Sequence, residues 1–303
     1  MSKLTAWIVY NGNMLQEKFL YHVKWLKKEA ENQGVEAILI RNTELLAGFS
    51  QGRTVLMGKY SDKRPDFVLF WDKDVNLASH LESLGFKVFN SSRSIALCDD
   101  KILTYKTLAD KNIPMAKTII APFVYGNMKI ENLEFFDYAE EELGYPLIIK
   151  EAYGSFGAQV YMVKDKEELL KKVLEIGPKP CLLQEYIKSS HGRDIRINVV
   201  GNEVVASMFR QSKGDFRANI SAGGTMEAYE PNEEEKSLAI KCSKIIGADF
   251  AGIDLLFGKK GERIVCEVNS NAHMKNIYDC TGINVAEKII SYVIERIGKE
   301  HEA

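Results

Sequence analysis

The sequence lacks the features of several common protein classes. Its formal net charge is only −2 over 303 residues, so no large basic surface and no nucleic-acid partner are expected. Five scattered cysteines form no C-x-x-C pair, which disfavours a disulfide framework or zinc site and favours a reducing, cytoplasmic setting. No apolar run approaches membrane-spanning length, and the first residues lead into a short strand rather than a signal peptide. No membrane association is expected.

Common catalytic and nucleotide-binding fingerprints are missing too. No G-x-G-x-x-G follows the first predicted strand, so a nicotinamide site is not expected. No Gly-Lys-Ser/Thr completes a Walker A loop, and no Ser-His-Asp order or nucleophile elbow occurs. The histidines have no metal-ligand spacing, and we assign His22, His80 and His301 to the surface or to helices.

What is present is a globular composition, 46% hydrophobic and 27% charged, with length for two or three structural units. The first third alternates apolar strands with amphipathic helices, which predicts an α/β unit with a parallel sheet at residues 1–97. A single helix is predicted from about Ser94 to Lys111. The later pattern is antiparallel α+β, and we expect two further units at residues 98–187 and 188–303.

Two carboxylates late in the chain predict a metal site. Asp254 lies in an apolar run, and Glu267 and Asn269 lie in a second run beyond a glycine-bounded turn, which predicts a β-hairpin. If Phe257 pairs with Ile264, Asp254 lies opposite Glu267, and Asn269 shares that face. Opposed carboxylates repel and hard oxygen ligands suit Mg²⁺, so we expect a cation between them. The alternative is a solvent-facing hairpin with ordinary surface charges.

Earlier segments indicate an anionic ligand. Lys150 ends an apolar strand before the loop Gly154-Ser155-Phe156-Gly157, whose small residues let backbone N–H groups approach a phosphate. Alone this pattern is weak, because lysines often end strands. Gln184-Glu185-Tyr186-Ile187 ends a later strand, where exposed backbone can pair with an adenine edge, although an ordinary core strand has the same pattern.

Charged residues continue on the next strands. Asp194 and Arg196 share one strand face, where Asp194 can accept from ribose hydroxyls; the alternative is a cross-strand salt bridge. Arg210 ends a strand, and Arg217 and Asn219 precede a Gly-rich segment. Planar guanidinium groups suit phosphate and the charge that develops during phosphoryl transfer. Taken singly, both arginines would be better explained as surface residues.

In order, these signals resemble the ATP-grasp superfamily. The order is Lys101, Lys150 with its glycine loop, Gln184-Glu185-Tyr186-Ile187, Asp194-Ile195-Arg196, Arg217-Ala218-Asn219, Asp254 and Glu267-Val268-Asn269. Arg193-Asp194-Ile195-Arg196, Phe216-Arg217-Ala218-Asn219 and Thr281-Gly282-Ile283-Asn284-Val285-Ala286 look most similar to the RimK-type α-L-glutamate ligases, and the resemblance runs from about Leu97 to the C-terminus. It implies a mixed α/β and α+β fold, in which a Rossmann-like pre-ATP-grasp domain precedes a two-lobed ATP-grasp fold.

The resemblance also implies a reaction. A carboxylate attacks the γ-phosphate of ATP to form an acylphosphate, and an amine then displaces phosphate to give an amide. The implied partners are ATP, two Mg²⁺ or Mn²⁺ ions, an amino acid such as glutamate, and a carboxylate acceptor on a small molecule, peptide or protein. A homo-oligomer is also expected, because family members often self-associate.

By position, the resemblance assigns roles to individual residues. It implies metal ligation by Asp254, Glu267 and Asn269, and catalytic contacts near the transferred phosphate from Arg210 and Arg217. The residues for which it implies nucleotide contacts are Lys101, Lys150, Gln184, Glu185, Ile187, Asp194, Arg217 and Asn219. Neutralising either metal carboxylate is expected to leave the fold intact and, by removing repulsion, to raise its stability without metal.

One departure concerns the acceptor side. Many relatives follow Glu-Val-Asn with Ser-Pro-Gly, whereas this chain has Ser270-Asn271-Ala272-His273-Met274-Lys275. We therefore expect a different loop shape, with His273 and Lys275 presenting a positive face to an acidic or carboxylate substrate. Two alternatives stay open: a dipeptide or carrier-protein amino-acid ligase of the same fold, and a non-catalytic nucleotide-binding regulator.

Overall fold

A computed structural model gives the fold of residues 3–218 and 223–302. The first part of the chain forms a parallel sheet in the order β2-β1-β5-β6, so the predicted α/β unit is confirmed. A two-stranded hairpin, β3–β4, was not predicted. The elements are β1 (Thr5–Tyr10), α1 (Glu17–Asn32), β2 (Glu36–Arg41), β3 (Leu46–Ser50), β4 (Arg53–Met57), β5 (Phe67–Trp71), α2 (Val75–Ser83) and β6 (Val88–Phe89).

This sheet has a topological switch point between β1 and β5. The chain runs from β1 to β2 on one side, and β5 and β6 follow on the other side. Connections that leave in opposite directions open a crevice beyond the carboxyl ends of the two strands, where α/β proteins commonly bind ligands. Asn11 follows β1 and Asp72 follows β5, so both polar side chains belong to this crevice.

The middle of the chain forms an antiparallel sheet in the order β7-β10-β8-β9. Its elements are α3 (Ser92–Asp99), α4 (Lys101–Leu108), β7 (Thr118–Ile120), α5 (Glu134–Leu143), β8 (Leu147–Glu151), β9 (Val160–Val163), α6 (Lys166–Ile176) and β10 (Cys181–Glu185). The prediction of one helix from Ser94 to Lys111 is wrong. Asp100 is extended, and its carboxylate accepts from the N–H groups of Ile102 and Leu103, so it caps a second helix.

The last part forms a five-stranded antiparallel sheet in the order β13-β12-β11-β14-β15. Its elements are β11 (Arg193–Val200), β12 (Glu203–Gln211), β13 (Thr225–Ala228), α7 (Glu233–Ile246), β14 (Phe250–Phe257), β15 (Arg263–Asn269), α8 (Met274–Thr281) and α9 (Val285–Glu302). One face packs Ile195, Ile253 and Leu255 against Ala239 and Cys242 of α7. The opposite face carries polar side chains where Arg196 pairs with Asp254, and apolar residues such as Met208 pack on the rest of it.

A β-bulge in the β14–β15 hairpin decides which residues reach that polar face. Asp254 pairs with Glu267 as predicted, but Phe257 pairs with Arg263 rather than with Ile264, because the register shifts beyond Asp254. The extra residue in β15 changes the alternation of side chains. Val265 and Val268 consequently both pack in the core, while Glu267 and Asn269 line a cleft.

The first and last parts of the chain are joined by a common core. Ile289 and Val293 of α9 pack in one hydrophobic cluster with Val23 and Leu26 of α1. Asn90 donates to the carbonyl oxygens of Phe250 (2.9 Å) and Ser270 (3.1 Å). These contacts bring the switch-point crevice to the end of the β14–β15 hairpin. The three predicted unit boundaries stay a prediction. No helix in the described ranges has the length and apolar character needed to cross a membrane.

Candidate active site

Two clefts meet above the polar face of the last sheet. The first lies between that sheet and the middle one, and all predicted nucleotide residues in the described part line it: Lys101, Lys150, Gln184, Glu185, Ile187, Asp194 and Arg217. The second lies between the last sheet and the switch-point crevice, and Arg210 and Asn269 line it. Asp254 and Glu267 line both clefts, as do Ser155 and Gly157. Predicted Asn219 lies outside the described residues.

Two buried lysines lie in the first cleft, beside its junction with the second. Lys150 on β8 is 7% exposed and its Nζ lies 3.6 Å from Sγ of Cys266, the residue at the bulge. Lys101, at the start of α4, lies 3.8 Å from a carboxylate oxygen of Glu267 and 3.4 Å from the carbonyl oxygen of Gly154. Burial lowers the pKa of Lys101, although Glu267 opposes this. Two ammonium groups beside one carboxylate leave positive charge for an anion.

An arginine contacts the glycine loop. Gly154 and Gly157 both have positive φ angles, +155° and +72°, which glycine adopts without strain. Arg217 donates from Nη1 to the carbonyl oxygen of Gly157 (2.6 Å) and from Nε and Nη2 to the carboxylate of Asp215 (3.0 and 2.7 Å). Asp215 therefore fixes the guanidinium against the loop. Its contact with a phosphate stays a prediction.

The other end of the first cleft has fewer open polar groups than the sequence suggested. Glu185 donates its N–H to the carbonyl oxygen of Lys117 (3.0 Å), and its carboxylate accepts from the Lys117 N–H (2.7 Å). The side chain of Gln184 donates to Thr118 Oγ1 (2.8 Å). The carbonyl oxygen of Ile187 accepts from the Ser190 N–H (2.9 Å). Contacts of Glu185 and Ile187 with a purine edge stay a prediction.

Aspartate and arginine alternate in a buried network on β11, β12 and β14. Arg210 donates to both oxygens of Asp194 (2.6 and 2.7 Å) and lies 3.0 Å from Asp254. Arg196 donates to both oxygens of Asp254 (2.7 Å each). Both residues therefore form cross-strand salt bridges, which was the alternative to a ribose contact, but not with each other. Asp194 pairs with Arg210 of β12, and Arg196 pairs with Asp254 of β14. Each oxygen of Asp194 keeps a second lone pair for the predicted ribose contact.

This network changes the electrostatic argument for the metal site. Burial opposes ionisation of Asp254, but Arg196 and Arg210 outweigh it and lower the pKa of the carboxyl. Burial raises the pKa of Asp194 despite its contact with Arg210. Asp254 is neutralised by arginines and Glu267 faces Lys101, so the expectation that repulsion between the two carboxylates destabilises the metal-free protein is wrong.

The three predicted metal ligands nevertheless share one face at the junction of the clefts. Asp254 and Glu267 are cross-strand neighbours, and Asn269 pairs with Gly252 on the same face. No set of three His, Cys, Asp or Glu side chains among residues 3–218 and 223–302 could hold a metal ion. Two carboxylates and an amide oxygen fit Mg²⁺ only if a nucleotide supplies further oxygens, which is how Mg²⁺ is usually held.

The loop after β15 differs from its prediction. Lys275 is paired with Asp279 (2.6 and 2.7 Å). Burial, with Arg196 nearby, lowers the pKa of His273 to about 4, so its imidazole is neutral near pH 7. The predicted positive face is therefore wrong, although both residues line the second cleft. His22 lies in α1 as predicted but is only 2% exposed, and its ring centroid is 4.6 Å from that of His273.

Comparison with known proteins identifies the arrangement. A family model described as the RimK-like ATP-grasp domain matches residues 98–293. The chain belongs to the RimK-like ATP-grasp family. Human N-acetylaspartylglutamate synthase A is 37% identical over 225 residues, which cover 74% of this chain and 56% of that one. A probable alpha-L-glutamate ligase of Mannheimia succiniciproducens is 29% identical over 303 residues, covering 94% and 97%.

A solved structure of this architecture agrees. D-alanine–D-alanine ligase from Bacillus anthracis superposes with a TM-score of 0.72 and 20% identity, covering 99% of this RimK-like chain and all of that one; this likeness shows the fold alone. The match spans little more than half of the human synthase's length. The predicted family, the ATP-grasp fold and the class of enzyme, a carbon–nitrogen ligase, are confirmed.

The sequence reasoning missed three residues of this RimK-like site. Arg196 shares a predicted strand face with Asp194, but the sequence gives it no role of its own, because its partner Asp254 is 58 positions away. Cys266 gave no signal, since only the bulge brings its thiol to Lys150. Asp72 could have been found, because a carboxylate directly after a buried strand marks the carboxyl edge of a parallel sheet.

Proposed function

We propose that this protein is an ATP-dependent ligase that joins the amino group of glutamate to a carboxylate through an acylphosphate. The observation that supports this most directly is that the two clefts meet at Asp254 and Glu267. A nucleotide in the first cleft and a carboxylate in the second would place their reacting ends together. Phosphoryl transfer depends mainly on such positioning and on charge stabilisation.

The phosphates of ATP belong beside Lys101, Lys150 and the glycine loop. The ammonium groups and the loop's N–H groups would hold the chain of phosphates against the junction. Mg²⁺, held by Asp254, Glu267 and Asn269 together with phosphate oxygens, would neutralise charge between two anionic reactants. The proposal includes two such ions, and Mn²⁺ as a substitute for Mg²⁺.

The carboxylate substrate belongs beside the arginines of the second cleft. Arg196 and Arg210 both line it, and a guanidinium can donate two parallel hydrogen bonds to a carboxylate. Arg196 donates to both oxygens of Asp254, and Arg210 lies 3.0 Å from one of them. These contacts fix both guanidinium groups at the junction of the clefts, beside the place proposed for the carboxylate.

Glutamate is proposed as the amine because it is common to the relatives. One is named for glutamate ligation and the other for a product that contains glutamate. The second cleft has a volume of about 890 Å³, within the range of about 300–1,000 Å³ typical of small-molecule sites. A small carboxylate acceptor therefore fits better than a long peptide. We place this reaction in the cytoplasm, consistent with the spacing of the cysteines.

The test combines phosphate release with product mass. Purified protein receives ATP, Mg²⁺, L-glutamate and a panel of small carboxylates, one at a time. We expect phosphate release only with particular pairs and a product equal to the two substrates less one water. Lys150→Met should raise the ATP requirement, while the exposed control Lys129→Met should not. Stabilisation by ATP without phosphate release under any pair would instead support the non-catalytic regulator.

A further inference from the structure

The second cleft contains most of the unsatisfied buried polar atoms in the described part of the chain. Among residues 3–218 and 223–302, five buried side-chain nitrogen or oxygen atoms have no hydrogen-bond partner. Three of these five atoms belong to residues that line the second cleft: His22 Nδ1, Asp72 Oδ2 and Asn271 Oδ1. Buried polar atoms in folded proteins nearly always have partners, so a cluster of exceptions needs an explanation. A bound polar group would supply one.

Asp72 is held in place at the switch point. Its Oδ1 accepts from the N–H of Lys73 (2.7 Å) and from the side chain of Asn11 (3.2 Å), and Oδ2 is left over. Asn271, from the loop after β15, donates from Nδ2 to the backbone oxygen of Asp72 (3.0 Å), which leaves its own oxygen unused. Two acceptor groups from opposite sides of the cleft are therefore neighbours.

The unused atoms define the chemistry of the missing group. Oδ2 of Asp72 and Oδ1 of Asn271 can only accept hydrogen bonds, and the negative charge of Asp72 disfavours a second carboxylate. A primary ammonium has three donors and no acceptor. Burial raises the pKa of Asp72, and a cation beside it would offset that effect. The arginines that suit a carboxylate, Arg196 and Arg210, line the same cleft beside Asp254.

We propose that Asp72 and Asn271 bind the ammonium group of the incoming amino acid, so that the switch-point crevice is the amine subsite. This inference rests on the proposed ligase function. The subsite is close to the glycine loop, where the phosphates of ATP are proposed to bind, because the neighbouring Lys73 donates from Nζ to Oγ of Ser155 in that loop (3.0 Å). Asp72 and Asn271 are accordingly specificity-determining residues that distinguish an amino acid from the same molecule without its nitrogen.

The test compares L-glutamate with glutarate, which has both carboxylates but no ammonium group. Calorimetric binding is measured with ADP and Mg²⁺ present for wild type, Asp72→Asn, Asn271→Ala and the exposed control Asp62→Asn. Wild type should prefer L-glutamate. Loss of a charged hydrogen-bond partner should weaken L-glutamate binding roughly ten- to a hundredfold in Asp72→Asn and less in Asn271→Ala. Glutarate and ADP affinities should change by less than about twofold in both variants, as should all affinities in the control.

The outcomes separate this inference from the function on which it rests. Unchanged discrimination in Asp72→Asn would overturn the amine subsite and leave the ligase proposal standing. The same binding assay is repeated on wild type with each of the twenty amino acids. If none of them binds and no phosphate is released, the amine subsite and the ligase proposal are both overturned. Asp72→Asn keeps the Oδ1 acceptor and should fold, which a melting curve checks. If it does not fold, Asn271→Ala decides, because unchanged discrimination in that variant would equally overturn the subsite.

Discussion

Replacing Asp254 by asparagine should destabilise the protein in the absence of nucleotide and metal. Asp254 is 4% exposed and accepts two hydrogen bonds of 2.7 Å from Arg196, with Arg210 a further 3.0 Å away. An amide in its place presents N–H groups to guanidinium donors and removes the charge with which both arginines are directly paired. The substitution therefore breaks a buried ion network rather than relieving repulsion.

The magnitude follows from burial. Removing one partner of a buried ion pair costs about 3–5 kcal/mol of unfolding free energy, because the remaining charge is left uncompensated. Glu267→Gln is the matched comparison. Its side chain is 29% exposed and lies 3.8 Å from Lys101, and a loose pair of this kind contributes about 1 kcal/mol or less. The two substitutions of supposed metal ligands should thus differ by about 2–4 kcal/mol.

Urea unfolding followed by circular dichroism, without nucleotide or divalent metal, measures this difference. The midpoint of Asp254→Asn should fall well below those of wild type and Glu267→Gln, which should nearly coincide. Both variants should nevertheless lose about a hundredfold or more in ATP turnover. An Asp254→Asn protein as stable as wild type, or more stable, would refute the arginine network and restore the repulsion argument.

Three further outcomes are expected. Burial lowers the pKa of His22 to about 3 and of His273 to about 4, so the unfolded chain binds more protons below pH 6.5 and unfolding free energy should fall as pH falls toward 5, by up to about 1.4 kcal/mol per pH unit for each histidine; a slope unaffected by His22→Gln would contradict this. Lys150→Met should raise the KM for ATP roughly tenfold or more in initial-rate assays, and a KM equal to that of Lys129→Met would exclude a phosphate contact. Arg217→Lys, which lacks the planar fork, should lower kcat roughly tenfold, and an unchanged kcat would show that the fork is dispensable.

The sequence could predict the elements and most of the cleft because these depend on local pattern and order. Apolar runs located the strands, and the spacing of lysines, arginines and carboxylates indicated one nucleotide site. All the predicted nucleotide residues in the described ranges line a single cleft. The opposition of Asp254 and Glu267 was also correct, although the pairing of Phe257 from which it was derived was not.

What could not be predicted depends on packing between distant segments. The bulge at Cys266 allows Val265 and Val268 to be buried in the same core cluster, and no residue type in β15 indicates a bulge. The arginine network requires β11 to lie between β12 and β14, an order that one sequence does not fix. Asp72 and Asn271 are neighbours across 199 positions, so the second cleft exists only after the first and last parts of the chain have packed.

The most direct test of carboxylate activation at the junction of the clefts uses oxygen labelling. The carboxylate substrate found in the phosphate-release panel is labelled with ¹⁸O in its reacting group and incubated with ATP, Mg²⁺ and L-glutamate. An acylphosphate loses its bridging oxygen with the phosphate when the amine attacks, so the released inorganic phosphate should contain one ¹⁸O atom. Phosphate without label, formed at the same rate as the amide, would contradict the mechanism.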